Sequence, residues 1–375
     1  MRELGEFALI ARMNAGRAQA SGVLLGPGDD AAVLAAPDGR LVVTTDMLVQ
    51  DRHFRLDWSA PEEIGRKAIA QNAADVVAMG AVPTAFVVAL GCPGETPVAV
   101  IDGLAAGMWA EAGRACGASI AGGDLVRSPE LVISVTAFGD LGGRAPVLRS
   151  GARVGDVVAV AGRPGWSGAG LAALLAGVRA GRAGSEGAPP STEAGVPEAG
   201  AAAGVAGVAV HASEAGAAVG VPEASTADSA RVDALLAEAL AAHRVPRPPY
   251  AAVLDAVARP SAMADVSDGL LADLGHIADA SGVAVDLDSA ALADPALTEL
   301  ATALEHDAAQ WILSGGEDHA FVATWPAGTE LPPGWRAIGR VTAGSGVTVD
   351  GAGHDGPGGW ESFSGAESPP VGDPR

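Results

Sequence analysis

The stretch ADVSDGLLADLGHIADASG, residues 264–282, places two aspartates among small residues directly before a run with helical periodicity. Apolar side chains in that run repeat every three or four residues and so fall on one helix face: Leu270, Leu271, Leu274 and Ile277. The segment VAVDL, residues 283–287, follows immediately and is typical of a buried strand. Helices that lead directly into strands are the units of layered α/β folds.

Alternating helices and strands are predicted along most of the remaining chain. The helices are predicted over residues 6–12, 61–79, 100–116 and 229–242, with another after Pro249. The strands are predicted over residues 41–45, with Asp46 at the strand end, and over 84–90, 131–138 and 157–161. We therefore predict an α/β (α+β) fold of two domains, residues 1–149 and 150–375.

Residues 181–228 differ from the rest because they are mostly Ala, Gly, Ser, Pro, Val and Glu, with no aromatic residue and no sustained period. A structureless segment of this length is uncommon inside a compact domain. We therefore predict a disordered insertion in the second domain.

The composition excludes several classes of protein. The 375 residues include 45 acidic and 23 basic side chains, so the net charge is -22, which would repel the phosphate backbone of a nucleic acid. No uninterrupted run of about 18 apolar residues is present to span a membrane, and the first residues lack the apolar core of a signal peptide. Cys92 and Cys116 are too few for a disulfide framework or a four-cysteine zinc site. We expect a soluble cytoplasmic protein that binds neither nucleic acid nor membrane.

Lys67 is the only lysine in the sequence, and this limits how a nucleotide could be bound. A Walker-type phosphate loop requires a lysine directly before Ser or Thr at the end of a glycine-rich turn. Lys67 instead precedes Ala68 within a predicted helix. Phosphate groups would therefore have to be met by metal ions, arginines and backbone amides.

Some acidic residues stand out because they lie among glycines or at the ends of apolar segments. They are Asp29, Asp30, Asp46, Asp75, Asp124, Asp265, Asp268, Glu317 and Asp318. Buried carboxylates are costly without a compensating charge, and arginine is not nearby in most of these segments. Oxygen ligands without histidine or thiol favour hard cations, above all magnesium. Two alternatives stay open: Asp30 and Asp268 could cap helices, and Asp75 could be a satisfied core residue.

A series of motifs in this order resembles the thiamine-monophosphate kinase family. They are LGPGDDAAV at 25–33, TTDMLVQDRHF at 44–54, QNAADVVAMGA at 71–81, AGGDLVRS at 121–128, RSGARVGD at 149–156, DVSDGLLADLGHI at 265–277 and SGGEDHAF at 314–321. That family belongs to the ATP-binding superfamily that includes aminoimidazole ribonucleotide synthetase and selenophosphate synthetase. The resemblance extends from about Gly5 to Phe363 outside the insertion. It departs from the family pattern at His319, where tyrosine is common, and at Pro27, where an aliphatic residue is usual.

The resemblance implies a kinase that phosphorylates thiamine monophosphate to thiamine diphosphate with ATP, by direct in-line transfer assisted by several magnesium ions. It also implies a two-domain aminoimidazole-ribonucleotide-synthetase-like fold in a homodimer, whose N-terminal sheets pair across the interface into a barrel. The acceptor phosphate has a second pKa near 6 and is already largely ionised at neutral pH, so it needs no general base. No residue is therefore expected to act as a catalytic acid or base.

The same resemblance assigns residues to three groups. The implied metal ligands are Asp30, Thr44, Thr45, Asp46, Asp75, Asp124, Asp265 and Asp268. The implied ATP contacts are Gly123, Asp124, Arg149 and Ser267. The implied contacts to thiamine monophosphate are His53, Glu317 and Trp360. Two other functions stay open: another ATP-dependent synthetase of the same superfamily, and a non-catalytic sensor that binds magnesium and nucleotide without turnover.

Overall fold

The computed structural model describes residues 6–27, 31–178, 226–256, 259–354 and 358–359 of the chain. Several predictions from the sequence fall outside these ranges. They concern Asp29, Asp30 and Trp360, together with the insertion at 181–228, of which only the main chain of 226–228 is described. These stay predictions.

Helices and strands alternate along the described residues, and the α/β class predicted from the sequence is confirmed. The helices are α1 (Glu6–Asn14), α2 (Pro61–Ala78), α3 (Val98–Arg114), α4 (Trp166–Leu175), α5 (Thr226–Arg244), α6 (Tyr250–Leu254), α7 (Leu270–Ser281), α8 (Ser289–Leu292), α9 (Pro295–Ala303) and α10 (Ala308–Ser314). The strands are β1 (Val23–Leu25), β2 (Val33–Leu34), β3 (Val42–Val49), β4 (Val82–Cys92), β5 (Ser119–Arg127), β6 (Val132–Asp140), β7 (Val157–Ala161), β8 (Ala262–Val266), β9 (Ala284–Leu287), β10 (Ala320–Trp325), β11 (Trp335–Thr342) and β12 (Gly346–Val349). Within the described ranges, no helix combines the length and the apolar character that a bilayer crossing requires.

The first half of the chain forms a four-stranded sheet in the order β3-β6-β4-β5. The β4–β5 pair is parallel, and the other two pairs are antiparallel. Helices α2 and α3 pack against each other, and α2 also lies on β6, β3 and β4. Most residues of α2 are buried, so the removal of apolar surface from water stabilises this helix on the sheet.

Two glycines allow α2 and α3 to approach each other closely. A Cβ atom at Gly65 would overlap the carbonyl oxygen of Leu104, and a Cβ atom at Gly107 would overlap the carbonyl oxygen of Glu62. Only glycine leaves room for backbone contact of this kind. The contact fixes the position of α2, which carries Asp75.

The second half of the chain forms a six-stranded sheet in the order β12-β9-β11-β7-β10-β8. It is parallel only between β12 and β9. Strands β8 and β10 are buried at every residue, and α7 packs against β8 and β9. The helix and strand predicted over 270–287 correspond to α7 and β9.

One apolar core extends across both sheets. Ile64 and Ile69 of α2 belong to the same buried cluster as Tyr250, Phe321 and Trp335 from the second half. The two halves are therefore packed against each other through a shared interior. The boundary predicted between residues 149 and 150 falls in a 3-10 turn, Arg149–Gly151, and the division into two domains there stays a prediction.

Two carboxylates for which the sequence predicts no strand interior, Asp46 and Asp124, lie inside strands. The sequence predicts Asp46 at the end of a strand, but β3 continues through it to Val49. Because β3 is an edge strand, the N–H of Asp46 has no strand partner on its open side, and it donates to Oδ1 of Asn72 at 3.0 Å. Asp124 lies within β5, directly after the glycine pair Gly122 and Gly123, and this local sequence did not predict a strand.

Candidate active site

A cavity of about 850 Å³ lies between the two halves of the chain. The first half contributes β3, the loop that follows it and α2, while the second half contributes α4, the loop after β8 and the turn after α10. The ionisable residues in its wall include Asp46, Asp75, Asp265, Asp268, Glu317, His53, His243 and His319. Carboxylates that are distant in the sequence are thus brought to one site.

Four of these carboxylates form one cluster: Asp46, Asp75, Asp265 and Asp268. Burial raises the pKa of Asp75 to about 7, and the charges of Asp265 and Asp46 add to the rise. Burial is also the main cause of the raised pKa of Asp46 and of Asp268, with Asp265 contributing to both. Like charges this close repel one another, so the cluster needs protons or cations between its members.

Helix α2 carries a stripe of three polar side chains, and two of them, Gln71 and Asp75, line the cavity. Lys67, Gln71 and Asp75 are spaced four residues apart and therefore share one face of the helix. Gln71 hydrogen-bonds the carboxylate of Asp46, and Thr44 Oγ1 donates to Asp75 Oδ2 at 2.7 Å. The satisfied-core alternative for Asp75 does not hold, because the residue is only partly buried and lines the cavity.

Asn72 joins the edge strand β3 to the helix. It is fully buried, its Oδ1 accepts from the N–H of Asp46, and its Nδ2 donates to the carbonyl oxygen of Ala68 at 2.9 Å. Both functions of the amide are satisfied, as a buried amide requires. The position of Asp46 in the site is therefore set by α2.

The loop that carries Asp268 is held from beneath by a buried carboxylate. Asp273 Oδ2 accepts the backbone N–H groups of Ser267, Asp268 and Gly269 at 3.0, 3.1 and 3.2 Å. Helix α7 begins after Gly269, and no side chain caps it. The alternative that Asp268 is a helix cap is therefore wrong, and its side chain is left to face the cavity.

His319 is buried against Asp265, with its Nδ1 3.2 Å from Asp265 Oδ2. Burial alone would lower the pKa of His319, but the hydrogen bond to Asp265 and the charge of that carboxylate raise it. The backbone N–H of His319 also donates to the carbonyl oxygen of Val266 at 2.9 Å. His319 thus orients a carboxylate of the cluster.

Glu317 meets a buried cation from the other half of the chain. Its Oε1 lies 2.8 Å from Lys67 Nζ, and its Oε2 lies 3.6 Å from His243 Nδ1. Burial alone would raise the pKa of Glu317, but the charge of Lys67 lowers it. Burial and the charge of Lys67 together lower the pKa of His243 to about 3, so its imidazole is neutral. The Nδ1 of His243 also lies 3.1 Å from Ser167 Oγ.

Asp318 serves a different purpose from its neighbour Glu317. Its two carboxylate oxygens accept the backbone N–H groups of Gly165 at 2.6 Å and Ser167 at 2.8 Å. These bonds satisfy donors at the start of α4 that would otherwise lack partners. Asp318 therefore holds the glycine-rich turn before α4, and only Glu317 lines the cavity.

His53 lies half-buried in the cavity wall with a defined ring orientation. Its Nδ1 accepts the N–H of Val49 at 3.0 Å. In the neutral ring Nε2 therefore carries the proton and can donate it in a hydrogen bond. Such a donor suits an anionic oxygen.

The predicted ATP contacts Ser267 and Arg149 lie near the cluster. Ser267 lines the cavity beside Asp268. Arg149 is exposed, and its positive charge opposes the rise in the pKa of Asp268. Both positions would let these side chains contact a polyphosphate bound at the carboxylates.

Three other predicted residues lie away from this cluster: Thr45, Gly123 and Asp124. Thr45 pairs with Thr136, and Asp124 pairs with Ala89. Because side chains alternate along a strand, Thr45 lies on the sheet face opposite to Asp46, and the register puts Asp124 on that same opposite face. A Cβ at position 123 would overlap the carbonyl oxygen of Val88, so glycine is required there. Within the described residues, the chain does not bring this second group to the Asp46 cluster.

Several residues of the site are not identified by the sequence analysis. They are Gln71, Asn72, His243 and Asp273, together with the ion-pair role of Lys67. The four-residue spacing of Lys67, Gln71 and Asp75, which puts three polar side chains on one helix face, was a usable signal for Gln71. His243 and Asp273 resemble any polar helix residue, and only the fold shows what they contact.

The donor set fits a hard divalent cation. Carboxylate oxygens of Asp46, Asp75, Asp265 and Asp268 and the hydroxyl of Thr44 are available, and no cysteine is among the residues lining the described cavity. Magnesium and calcium favour oxygen ligands of this kind. A bound cation would also offset the repulsion that raises the pKa of Asp75.

Comparisons with known proteins agree with this geometry. Residues 28–141 match the family model described as AIR synthase related protein, N-terminal domain. The chain is 50% identical to thiamine-monophosphate kinase of Mycobacterium tuberculosis over 367 residues, covering 97% of this chain and 93% of that protein. It superimposes on the crystal structure of thiamine-monophosphate kinase from Stenotrophomonas maltophilia K279a with a TM-score of 0.68 and 32% identity, covering 93% and 98% of the two chains. It also matches AaThiL complexed with AMPPCP and TMP, with a TM-score of 0.67 and 26% identity, covering 97% and 98%.

Proposed function

The chain belongs to the thiamine-monophosphate kinase family, and from this we propose that it forms thiamine diphosphate by passing the terminal phosphoryl group of ATP directly to thiamine monophosphate at the carboxylate cluster. Its activity is that of a kinase whose substrates are ATP and thiamine monophosphate. The proposed place of phosphoryl transfer rests on one observation: Asp46, Asp75, Asp265 and Asp268 come from both halves of the chain and line one cavity.

The central difficulty of this reaction is electrostatic, because two polyanions must meet in line. The four carboxylates and Thr44 would hold magnesium, which would supply the positive charge needed to offset that of the phosphates. The carboxylates hold their positions through Asn72 on one side and through the Asp273-bound loop on the other. Direct transfer needs no covalent intermediate on the protein.

The acceptor requires recognition at both of its ends. The Nε2–H of His53 is suited to donate to the acceptor phosphate, and the carboxylate of Glu317 is suited to face the cationic thiazolium ring. Trp58, Leu171 and Trp311 add an apolar part of the cavity wall that can pack against the rings. His243 is neutral and points at Glu317, so it is not placed as a general base.

Thr45, Gly123 and Asp124, which lie away from the carboxylate cluster, have a role in the proposal only if the chain forms a homodimer. Thr45 and Asp124 lie on the open face of the first sheet, next to exposed apolar residues such as Val43 and Val126. We propose that a second copy of the chain covers this face in a homodimer and that Thr45, Gly123 and Asp124 complete the nucleotide site there. Asp30 and Trp360 remain proposed ligands of metal and substrate, and a cytoplasmic location remains our expectation.

An assay that couples ADP release to a spectroscopic signal tests the proposed function. Thiamine monophosphate and other phosphate monoesters are compared as acceptors, each with magnesium and with excess chelator. We expect ADP release that requires both thiamine monophosphate and magnesium. Equal ADP release without any acceptor would contradict the proposal, preference for another acceptor would indicate a different synthetase, and ATP binding without turnover would indicate a sensor.

A further inference from the structure

Lys67 contacts two separate parts of the acceptor site from behind. Its ammonium Nζ lies 2.8 Å from Glu317 Oε1 and 3.3 Å from the main-chain carbonyl oxygen of His53. His53 follows β3 in the first half of the chain, whereas Glu317 follows α10 in the second half. A single cation therefore connects the two residues proposed to bind thiamine monophosphate.

Lys67 itself does not reach the cavity. Only 3% of its side chain is exposed, and it is absent from the cavity wall that His53 and Glu317 form. A buried ammonium is costly unless it is paired and hydrogen-bonded, so its two contacts are needed to hold it there.

The position of the Glu317 carboxylate depends on this contact. Glu317 has a φ of 64°, in the left-handed region that is unfavourable for a residue with a side chain. Its other oxygen faces His243 at 3.6 Å, and that imidazole is in contact with Ser167. Lys67 is thus the strongest partner that fixes where this carboxylate points.

We infer that Lys67 is a positioning residue for the acceptor: it holds the Glu317 carboxylate and the His53 loop at a fixed separation across the two halves of the chain. This inference rests on the proposed function, because it assigns His53 and Glu317 to the acceptor. The carboxylate cluster does not contact Lys67 in the described structure. Lys67 therefore acts on binding and orientation of thiamine monophosphate and leaves ATP binding unaffected.

The test is a comparison of steady-state kinetics for Lys67→Met, Lys67→Arg and the unaltered chain. For Lys67→Met we expect kcat/KM for thiamine monophosphate to fall by about 10–100-fold, mainly through KM, because small misplacements of binding groups are expensive. The KM for ATP should change by less than about twofold, because Lys67 does not contact the carboxylate cluster at which ATP is proposed to bind. Lys67→Arg keeps the charge and should recover part of the loss.

A double-mutant cycle identifies whether Lys67 acts through Glu317. When Lys67→Met is added to the Glu317→Gln variant, kcat/KM for thiamine monophosphate should fall by less than about a further twofold. The effects of two residues that act through one contact are not additive. The double variant also leaves no unpaired buried charge, so it tests the inference even if Lys67→Met alone folds poorly. Arg66→Met is the matched control, since Arg66 is the next residue on α2 but pairs with Glu111, 3.5 Å away and outside the cavity wall.

Two results would overturn the inference. One is that folded Lys67→Met has an unchanged KM for thiamine monophosphate. The other is that Lys67→Met raises the KM for thiamine monophosphate and the KM for ATP equally, and that Arg66→Met does the same. Failure of the proposed function is distinguishable, because the unaltered chain would then not turn over thiamine monophosphate at all.

Discussion

Asn72 Oδ1 accepts the main-chain N–H of Asp46 at 3.0 Å, so a buried helix determines where the edge strand β3 places its carboxylate. The same amide is anchored through Nδ2 to its own helix. The position of Asp46 in the carboxylate cluster therefore depends on the packing of α2.

Removal of this amide should affect both stability and transfer. Asn72→Ala leaves the buried N–H of Asp46 without a partner, which costs about 1–3 kcal/mol in the free energy of unfolding. Transfer from ATP should fall because Asp46 is no longer held beside Asp75. The control is Asn14→Ala, which removes a similar bond from Nδ2 to the carbonyl oxygen of Ile10 far from the site. Equal transfer rates for the two variants would show that Asn72 does not position the cluster.

The carboxylate cluster predicts an unusual pH dependence in the absence of metal. Folding raises the pKa of Asp75 to about 7, so between about pH 4 and 7 the folded chain holds a proton that the unfolded chain has lost. The contribution of Asp75 to the free energy of unfolding is therefore favourable at low pH and is lost as the pH rises through that window. Urea unfolding in excess chelator should show this slope, and Asp75→Asn should flatten it. A slope that is identical in the variant would exclude Asp75 as its source.

The contact between α2 and α3 predicts opposite effects for two glycines in one helix. Gly107→Ala forces a Cβ against the carbonyl oxygen of Glu62, and α2 must shift to accommodate it. Gly113 lies in the same helix with no atom within 4 Å of an added Cβ. We expect Gly107→Ala to lower the melting temperature, whereas Gly113→Ala should raise stability by up to about 1 kcal/mol through helix propensity. Destabilisation of both variants to the same extent would count against the close helix contact.

The open face of the first sheet predicts where a charge would disrupt self-association. Val43 is 55% exposed on that face, and Val154 is 62% exposed in the second half. Val43→Glu should shift the chain from dimer to monomer in light scattering, because burial of an unpaired carboxylate is costly. Val154→Glu should leave the mass unchanged. A dimer that persists in Val43→Glu would place the interface elsewhere.

Much of the fold could be predicted from local pattern, because α2, α7, β7 and β9 each carry their own periodicity. Asp46 was predicted at a strand end, and no strand was predicted around Asp124. Both differences have a common cause: neighbouring elements supply partners that the local sequence does not contain. Asp46 stays in a strand because Asn72 Oδ1 accepts the hydrogen bond from its main-chain N–H. Asp124 stays in a strand because Gly122 and Gly123 pair with Val87 and Val88 of β4, although glycine pairs are more typical of loops.

The candidate site was predictable in its chemistry and less so in its arrangement. Acidic residues among glycines indicated oxygen ligands for a cation, and four of them meet in the cavity. The Lys67–Glu317 pair could not be predicted, because its members are far apart in the sequence and neither belongs to a motif for an ion pair. Contacts of that kind depend on how the two sheets pack.

The most direct measurement is ³¹P NMR of ATP and thiamine monophosphate mixed with the unaltered chain and with Asp75→Asn, at graded magnesium concentrations. We expect the resonances of thiamine diphosphate and ADP to grow together only when magnesium is present, and transfer by Asp75→Asn to be almost abolished while its fold is retained. Thiamine diphosphate formed at the unaltered rate by Asp75→Asn, or with all magnesium chelated, would contradict metal-assisted transfer at the carboxylate cluster.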